Sequence, residues 1–311
     1  MTSIMTNPGA MTALQALKAT NKALDTTQNR ISTGFRVSEA SHNAAYWSIA
    51  TTMRSDNKVL STVQDALGLG AGMVDTAYTA TETVIDYIDQ IKTKVAASNQ
   101  GGLDVTKIQG EIEELIEGIR SVVSSASYGG SNWLNTEATT PASVDIVVSF
   151  TRNADSSVTL NTKTITMADF ALIDNTTASG SSQVGLLENV DFSYTPAGQT
   201  SSTSVTGFDL TAIDVTGGAN LEEIMAGVDA ILQTMTDRAA DLGSYKSAIN
   251  LQTTYIGNLM DALDRGIGTL VDADMEEEST RLQALQTQQQ LGIQALSIAN
   301  SNAQNILSLF R

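Results

Sequence analysis

The chain of 311 residues contains no cysteine, one histidine and three prolines. Without cysteine there are no disulfides, thiolate nucleophiles, iron–sulfur clusters or cysteine zinc sites. The single histidine, His42, leaves little acid–base or metal chemistry, and we expect no enzyme activity and no cofactor. Pro8, Pro141 and Pro196 leave residues 9–140 and 197–311 without the strongest helix breaker, which favours long helices.

Positive charge is also scarce, because 17 Lys and Arg face 34 Asp and Glu, for a net charge of −17. Such a chain repels the phosphates of nucleic acids and anionic lipid headgroups. No apolar run is long enough to span a bilayer, and no basic residue precedes Lys18, as a secretory signal would require. We therefore expect no nucleic-acid and no membrane partner, and both a cytosolic product and export without a signal peptide stay open.

Residues 1–140 and 219–311 carry apolar residues at the 3–4 spacing of coiled coils. The spacing is continuous over residues 49–95, over 105–126 with Leu115 and Val122 among its positions, and over 221–263. Near the start of the chain a further series consists of Ala10, Leu14, Leu17, Asn21, Leu24, Gln28 and Ile31. Long helices cannot bury an apolar stripe alone, so these should pack on one another. The predicted fold is mainly α: a long antiparallel coiled-coil or helical-bundle rod built from both chain ends, with a small β-rich insert in the middle.

The insert, residues 141–218, is rich in Ser and Thr and lacks helical periodicity. Gly129-Gly130 and Gly217-Gly218 mark the approaches to it. Short β-prone runs separated by turn residues predict strands there. These runs are residues 144–150, 157–166 and 203–215.

The two chain ends contain no charged side chain over residues 1–17 and 282–310. A solvated helix normally carries charge on its outer face. Either these helices dock on the chain's own bundle, or neighbouring copies cover them. We predict an assembly interface at the following seam residues: Leu14, Leu17, Leu24, Ile31, Leu285, Leu296, Ala299, Ala303, Ile306 and Phe310.

Three patterns that resemble reactive sites have simpler interpretations. The run Gly68-x-Gly70-x-Gly72 lies inside a helical repeat and indicates a tight helix contact rather than a phosphate-binding loop. His42 has no nucleophile motif beside it and is interpreted as a surface or cap residue. The acidic cluster at 272–278 lacks the spacing of a calcium loop and is typical of a helix N-terminus. We predict no metal site.

Two distant motifs resemble bacterial flagellin. Residues 27–50 read TQNRISTGFRVSEASHNAAYWSIA, and the chain ends with QNILSLFR. The first is similar to the family's T-Q-x-R-[IL]-S-[ST]-G-x-R-[IV] stretch, and the second to its Q-N-[IV]-L-S-L-x-R terminus. The matching motif residues are Arg30, Ser32, Gly34 and Arg36. Three further runs resemble the flagellins of α-proteobacterial soil or plant-associated bacteria. They are TTMRSDNKVL at 51–60, DALGLG at 65–70 and SYKSAINLQ at 244–252.

The resemblance implies a domain organisation. Residues 1–40 with 272–311 would form a terminal coiled coil that lines the filament channel. Residues 41–140 with 219–271 would form a helical rod, and residues 141–218 a variable outer domain. The implied function is that of a structural subunit of the bacterial flagellar filament, the propeller for swimming.

The resemblance also implies an export route for the chain and a set of protein partners. The chain would leave the cell unfolded through the flagellar type III channel and fold at the filament tip, outside the cell. Its partners would be many copies of itself, other flagellins, hook–filament junction and cap proteins, an export chaperone and the export apparatus. Two alternatives stay open: a hook–filament junction protein, and a secreted adhesin that uses the insert. The complete Leu-Ser-Leu-Phe-Arg terminus favours flagellin.

Overall fold

The structure is a computed structural model of the chain. It describes residues 7–99, 103–136, 143–153, 155, 157–174, 185–197, 199, 201–216 and 220–309. Side chains are described for all of these except 136, 168, 174 and 302–309.

Along the chain, long helices precede and follow a middle region that contains the strands. The helices are α1 (Pro8–Thr33), α2 (Ala44–Ser98), α3 (Val105–Ser125), α4 (Leu221–Val271) and α5 (Met275–Leu309). The strands are β1 (Ser127–Tyr128), β2 (Ser131–Asn132), β3 (Asn135–Thr136), β4 (Ser143–Arg152), β5 (Val158–Thr166), β6 (Ile173–Asp174), β7 (Val190–Tyr194) and β8 (Thr203–Phe208). The predicted mainly α fold with a small β-rich insert is confirmed.

The helices begin at residues that satisfy free backbone N–H groups. The side chain of Asn7 accepts a hydrogen bond from Ala10 N, and Pro8 follows at the first turn of α1. Asp274 Oδ1 accepts bonds from the first N–H groups of α5, at 3.0 Å from Glu276 N. The acidic cluster therefore does cap a helix, as its sequence predicted.

Two compact units make up the chain. Unit 1 comprises Met1–Lys58 with Leu259–Arg311, and unit 2 comprises Val59–Asn258. Both boundaries fall inside long helices, α2 and α4. Unit 2 contains the strands together with the helices around them.

The 3–4 repeat forms the core of unit 2. On α2 the repeat positions from Leu60 to Val95 are buried, and on α4 those from Ile224 to Ile256 are buried apart from Arg238, Tyr245 and Gln252. The ion pair between Lys92 and Asp229 lies on the outside of this core. In α3 the structure departs from the predicted seam. Ile116 and Val123 are buried, whereas the predicted Leu115 and Val122 are only half-buried.

A second ion pair, between Lys246 and Asp75, runs in the same antiparallel sense between α4 and α2. The hydrogen bond to the Asp75 carboxylate raises the pKa of Lys246. Both side chains are largely exposed, so solvent screens the pair. The pair therefore contributes little to the stability of the two helices.

The strands form four two-stranded sheets among the described residues. The hairpins β4–β5 and β7–β8 are antiparallel, β3 pairs with β6 in parallel, and β1–β2 turns through Gly129 and Gly130 at φ 60° and 84°. Two of the three predicted strand runs are confirmed as β4 and β5. The third, 203–215, divides into β8 and a short 3₁₀ turn, Leu210–Ala212.

Strand side chains pack directly on glycine positions of the unit 2 helices. A Cβ at Gly70 would lie 2.8 Å from Ile146 Cγ2, and one at Gly72 would lie 2.6 Å from Tyr128 Cζ. The predicted tight contact is therefore present at these two glycines, although the neighbours come from strands. At Gly68 the prediction is wrong, because no such neighbour lies within 4 Å.

Candidate assembly interface

The first and last helices, α1 and α5, pair antiparallel within unit 1. Near one end of the pair, Asn7 Nδ2 donates to the carbonyl oxygen of Ala299 at 2.8 Å. Further along, Gln289 Nε2 donates to Asn21 Oδ1, also at 2.8 Å. These two bonds join residues nearly three hundred positions apart in the chain, so the pair requires both chain ends.

The α5 side of the pair follows the predicted seam. A 3–4 series of half-buried residues faces α1: Leu282, Leu285, Gln289, Gly292, Leu296 and Ala299. At Gly292 an added Cβ would lie 3.2 Å from Leu17 Cδ1, which is tighter than ordinary van der Waals contact. The helices thus approach closely where the seam carries glycine.

The α1 side corrects the predicted seam at three positions. The expected series used Leu14, Asn21 and Gln28, but all three are exposed. The residues that are buried or half-buried at these steps are Ala13, Thr20 and Thr27. Both series share Ala10, Leu17, Leu24 and Ile31, so the sequence admits either register. The close approach of α5 selects the smaller side chains, because bulky ones would hold the helices apart.

The predicted interface residues therefore differ in burial. Leu24 is buried, and Leu17, Ile31, Leu285, Leu296 and Ala299 are half-buried within the pair. Leu14 is 43% exposed. Ala303 and Ile306 lie in α5, but their side chains are outside the described residues, as is the whole of Phe310. The structure brings the described members together on one helix pair, where Leu14 alone among them is exposed.

An ion-pair cluster closes the other end of the pair. Arg30 Nη1 contacts Glu278 Oε1 at 2.7 Å, and Arg281 Nη1 lies 3.4 Å from the same oxygen. Glu278 is only 5% exposed, whereas Arg30 is about one quarter exposed. Sequence reasoning missed Glu278, because its acidic neighbours made it look like one more helix-capping charge.

The family motif forms the turn beside this cluster. Gly34 ends α1 in the left-handed conformation at φ 74°, and its N–H donates to Arg30 O at 2.9 Å. Phe35 then forms an isolated β-bridge with Asp272, and Arg36 Nη2 donates to Leu270 O at 3.0 Å. Contacts of the motif residues Arg30, Gly34 and Arg36 thus join the segment after α1 to the segment between α4 and α5, while Ser32 is exposed.

A small apolar core anchors this turn. It consists of Val37, Ala50, Ile267 and Val271, with Phe35, Met53 and Leu270 packed against it. The guanidinium of Arg54 lies 4.4 Å above the Phe35 ring centre. His42 lies nearby on the surface, as expected, with its Nδ1 3.4 Å from Ser38 Oγ.

The outer faces of the helix pair carry large apolar residues, and they carry no charge over residues 8–17 of α1 and 282–309 of α5. Met11 on α1 and Leu291, Ile293 and Ile298 on α5 are each more than half exposed. Exposed apolar residues concentrated on one element are typical of protein–protein contact surfaces. Within the described residues no cluster of His, Asp and Glu is arranged to hold a metal ion, and no helix is long and apolar enough to cross a bilayer. The exposed apolar residues of the pair suit association with another protein.

The chain matches known proteins along its whole length. A family model described as the bacterial flagellin N-terminal helical region matches residues 4–139, and the corresponding C-terminal helical region matches residues 225–310. Flagellin C of Rhizobium meliloti (strain 1021) is 49% identical, and the flagellin of Brucella melitensis biotype 1 is 46% identical. Flagellin A of Rhizobium meliloti is 40% identical. In all three comparisons the alignment covers 100% of both chains.

Proposed function

Because the chain belongs to the bacterial flagellin family, it is a structural subunit of the extracellular flagellar filament, and we propose that copies join through the outer faces of the α1–α5 pair. The observation that carries this proposal is a helix pair whose seam is mostly half-buried and whose outer faces carry exposed apolar residues, without charge over residues 8–17 and 282–309.

The incomplete burial of the pair supports neighbouring copies as its cover. Two helices packed only on each other leave most of their surface in water, and here that surface includes Met11, Leu14, Leu291 and Ile298. Apolar area gains about 25 cal/mol per Å² when it leaves water. Contacts repeated from copy to copy without closing generate a helical assembly.

We propose the threefold division of the chain for the assembled state. Residues 1–40 with 272–311 line the channel, residues 41–140 with 219–271 build the wall, and residues 141–218 face outward. The chain performs no catalysis in this role. Its remaining partners are other flagellins, junction and cap proteins, and the chaperone and export apparatus that carry it unfolded to the tip.

The two alternative functions lead to different observations. An adhesin would lose its activity when residues 141–218 are deleted, whereas a filament subunit would still polymerise. A junction protein would be needed in few copies per cell, whereas a filament subunit is needed in many. The full-length match to proteins named flagellin supports the filament subunit.

The substitution Leu14→Asp tests the proposed interface. Leu14 is 43% exposed, so the monomer should keep its helix content and melting transition. In the filament the new carboxylate would be buried, and even with Lys18 one turn away on the same helix, moving it out of water would cost several kcal/mol per subunit. We expect the critical concentration for polymerisation, measured by sedimentation and electron microscopy, to rise more than about a hundredfold.

Two matched variants make this experiment decisive. Leu14→Met keeps an apolar side chain and should polymerise like the unaltered chain. Thr26→Asp adds the same charge to an exposed position of the same helix, beside Asp25, and should have a much smaller effect. Filaments of ordinary length from Leu14→Asp would mean that this face of α1 stays in water, and the proposed interface would be wrong.

A further inference from the structure

The start of α2 presents a third uncharged surface that the chain ends do not include. From Ala40 to Met53 the sequence contains no Lys, Arg, Asp or Glu. This segment is well ordered by its cap, because Asn43 Oδ1 accepts a hydrogen bond from Tyr46 N at 3.1 Å and Asn43 O accepts one from Trp47 N at 3.0 Å. Its side chains are therefore held on a fixed helical surface.

Three large apolar side chains of this segment are exposed. Tyr46 is 42%, Trp47 38% and Ile49 49% exposed. On the same helix, Ala50 is buried and Met53 half-buried against the small core of unit 1. Helical geometry puts Tyr46 and Ile49 on one side of Ala50 and Trp47 on the other.

The apolar stripe is thus wider than the core beneath it. A helix that packs on one side needs an apolar stripe about 100° wide. Here the core covers only the middle of the stripe, and its two flanks stay in water. We name these flanks, Tyr46, Trp47 and Ile49, the neutral aromatic face.

Resting on the proposed filament function, we propose that the neutral aromatic face is a contact between copies, with Trp47 as its anchor and a second copy of this chain as the occupant. Trp and Tyr are enriched among the residues that dominate the free energy of association. Each copy carries a net charge of −17, so two copies repel one another wherever charged surfaces meet. An uncharged apolar surface is where identical acidic copies approach at least electrostatic cost.

The position of the face supports the same occupant. It belongs to unit 1, as do the uncharged α1 and α5, and Ala50 packs in the core that holds the turn after α1. A copy seated on the helix pair would therefore find further apolar surface on the same unit. An acidic partner of another kind would gain no ion pair from this face, because the segment offers no cation.

Intrinsic fluorescence of the full chain tests the proposal, since Trp47 and Trp133 are its only tryptophans. Trp133 is 2% exposed, so the Trp133→Phe variant reports on Trp47 alone. If that variant fails to fold, the signal of the unaltered chain minus that of Trp47→Phe gives the same information. We expect acrylamide quenching of Trp47 to fall by about threefold or more when monomers polymerise, because the core of an interface excludes water.

The outcomes separate this inference from the proposed function. Filaments in which Trp47 stays as accessible to acrylamide as in the monomer overturn the inference and leave the filament function intact. Strong protection of Trp47 in dilute monomer also overturns it, because the occupant would then be part of the same chain. If the unaltered chain forms no filaments under any polymerising condition, both proposals are wrong.

A set of substitutions at Trp47 separates aromatic burial from net charge. Trp47→Glu and Trp47→Lys should both raise the critical concentration by about tenfold or more, since either charge would be buried without a partner. Trp47→Phe should stay close to the unaltered chain. Polymerisation of Trp47→Lys that equals or exceeds that of the unaltered chain would show that the face responds only to net charge, and the aromatic contact would be ruled out.

Discussion

The two helical seams of the molecule share a 3–4 repeat but differ in how completely they are buried. In unit 2, seam residues such as Val84, Ile88 and Ile231 have no exposed surface. In the α1–α5 pair of unit 1, Leu17, Leu285 and Leu296 are only half-buried. The same spacing therefore has two outcomes: it completes a core within the chain in unit 2, and it leaves the seam of the α1–α5 pair half-buried in unit 1.

The charge pattern separates the same two regions. The outer faces of the unit 2 helices carry ion pairs such as Lys92–Asp229 and Lys94–Glu111. The outer face of α5 beyond Arg281 carries Gln, Asn, Ser and Thr with exposed Leu and Ile. A charged face keeps a helix in contact with water, whereas an uncharged one tolerates burial. Burial and charge thus lead to the same division.

Matched truncations of one aliphatic residue in each seam give the largest expected difference. Ile231→Ala in unit 2 should reduce the free energy of unfolding by about 2–5 kcal/mol, because a fully buried side chain leaves a cavity. Leu296→Ala should reduce monomer stability by less than about 1 kcal/mol, since its side chain is already partly in water. Urea denaturation followed by circular dichroism measures both. Equal losses at the two positions would remove the distinction between the seams.

A glycine on α4 probes how tightly the strands dock in unit 2. A Cβ at Gly227 would lie 2.7 Å from Phe208 Cε1, and Phe208 is itself packed edge-on against Phe192. Gly227→Ala should therefore destabilise unit 2 by about 1–3 kcal/mol through overpacking.

Gly110→Ala on α3 is the matched control in the same unit. It meets no neighbour within 4 Å, so it should stabilise the helix by about 0.5–1 kcal/mol. Thermal melting of the two variants should shift in opposite directions. A stabilising Gly227→Ala would show that the β7–β8 hairpin moves freely away from the helix.

The smallest expected effect concerns the ion pair that closes unit 1. Arg30→Met leaves Glu278 with Arg281 as its remaining cation, so monomer stability should fall by about 1 kcal/mol. Combining it with Glu278→Gln in a double-mutant cycle isolates the pair from its surroundings. A coupling free energy indistinguishable from zero would show that the pair does not hold α1 to α5.

The sequence predicted those parts of the fold that depend on local periodicity. The α5 seam and the long α2 and α4 repeats follow directly from 3–4 spacing, because most positions of each series are apolar or small. The predicted α1 seam was wrong at three steps. Leu14 is more apolar than Ala13, so the sequence favours Leu14 as the seam residue. Only the distance between α1 and α5 favours the smaller Ala13. Periodicity carries no information about that distance.

Contacts between distant segments were beyond prediction for a related reason. Arg30 and Glu278 are 248 positions apart, and many carboxylates compete for the role of partner in an acidic chain. The parallel pairing of β3 with β6 joins two-residue strands that carry no pattern of their own. Such contacts depend on where the helices place the connecting segments.

The contacts between the two connecting segments of unit 1 have a consequence for the order of events in the life of the chain. The bridge between Phe35 and Asp272 and the bond from Arg36 to Leu270 O connect segments that are synthesised far apart in time. Loop closure over such a separation comes late in folding. Until the final helix is complete, α1 has no partner, and a truncated product that ends before Met275 lacks half of the helix pair. The architecture therefore works as a test of completeness, because only a chain that includes α5 can form the helix pair through which we propose that copies join.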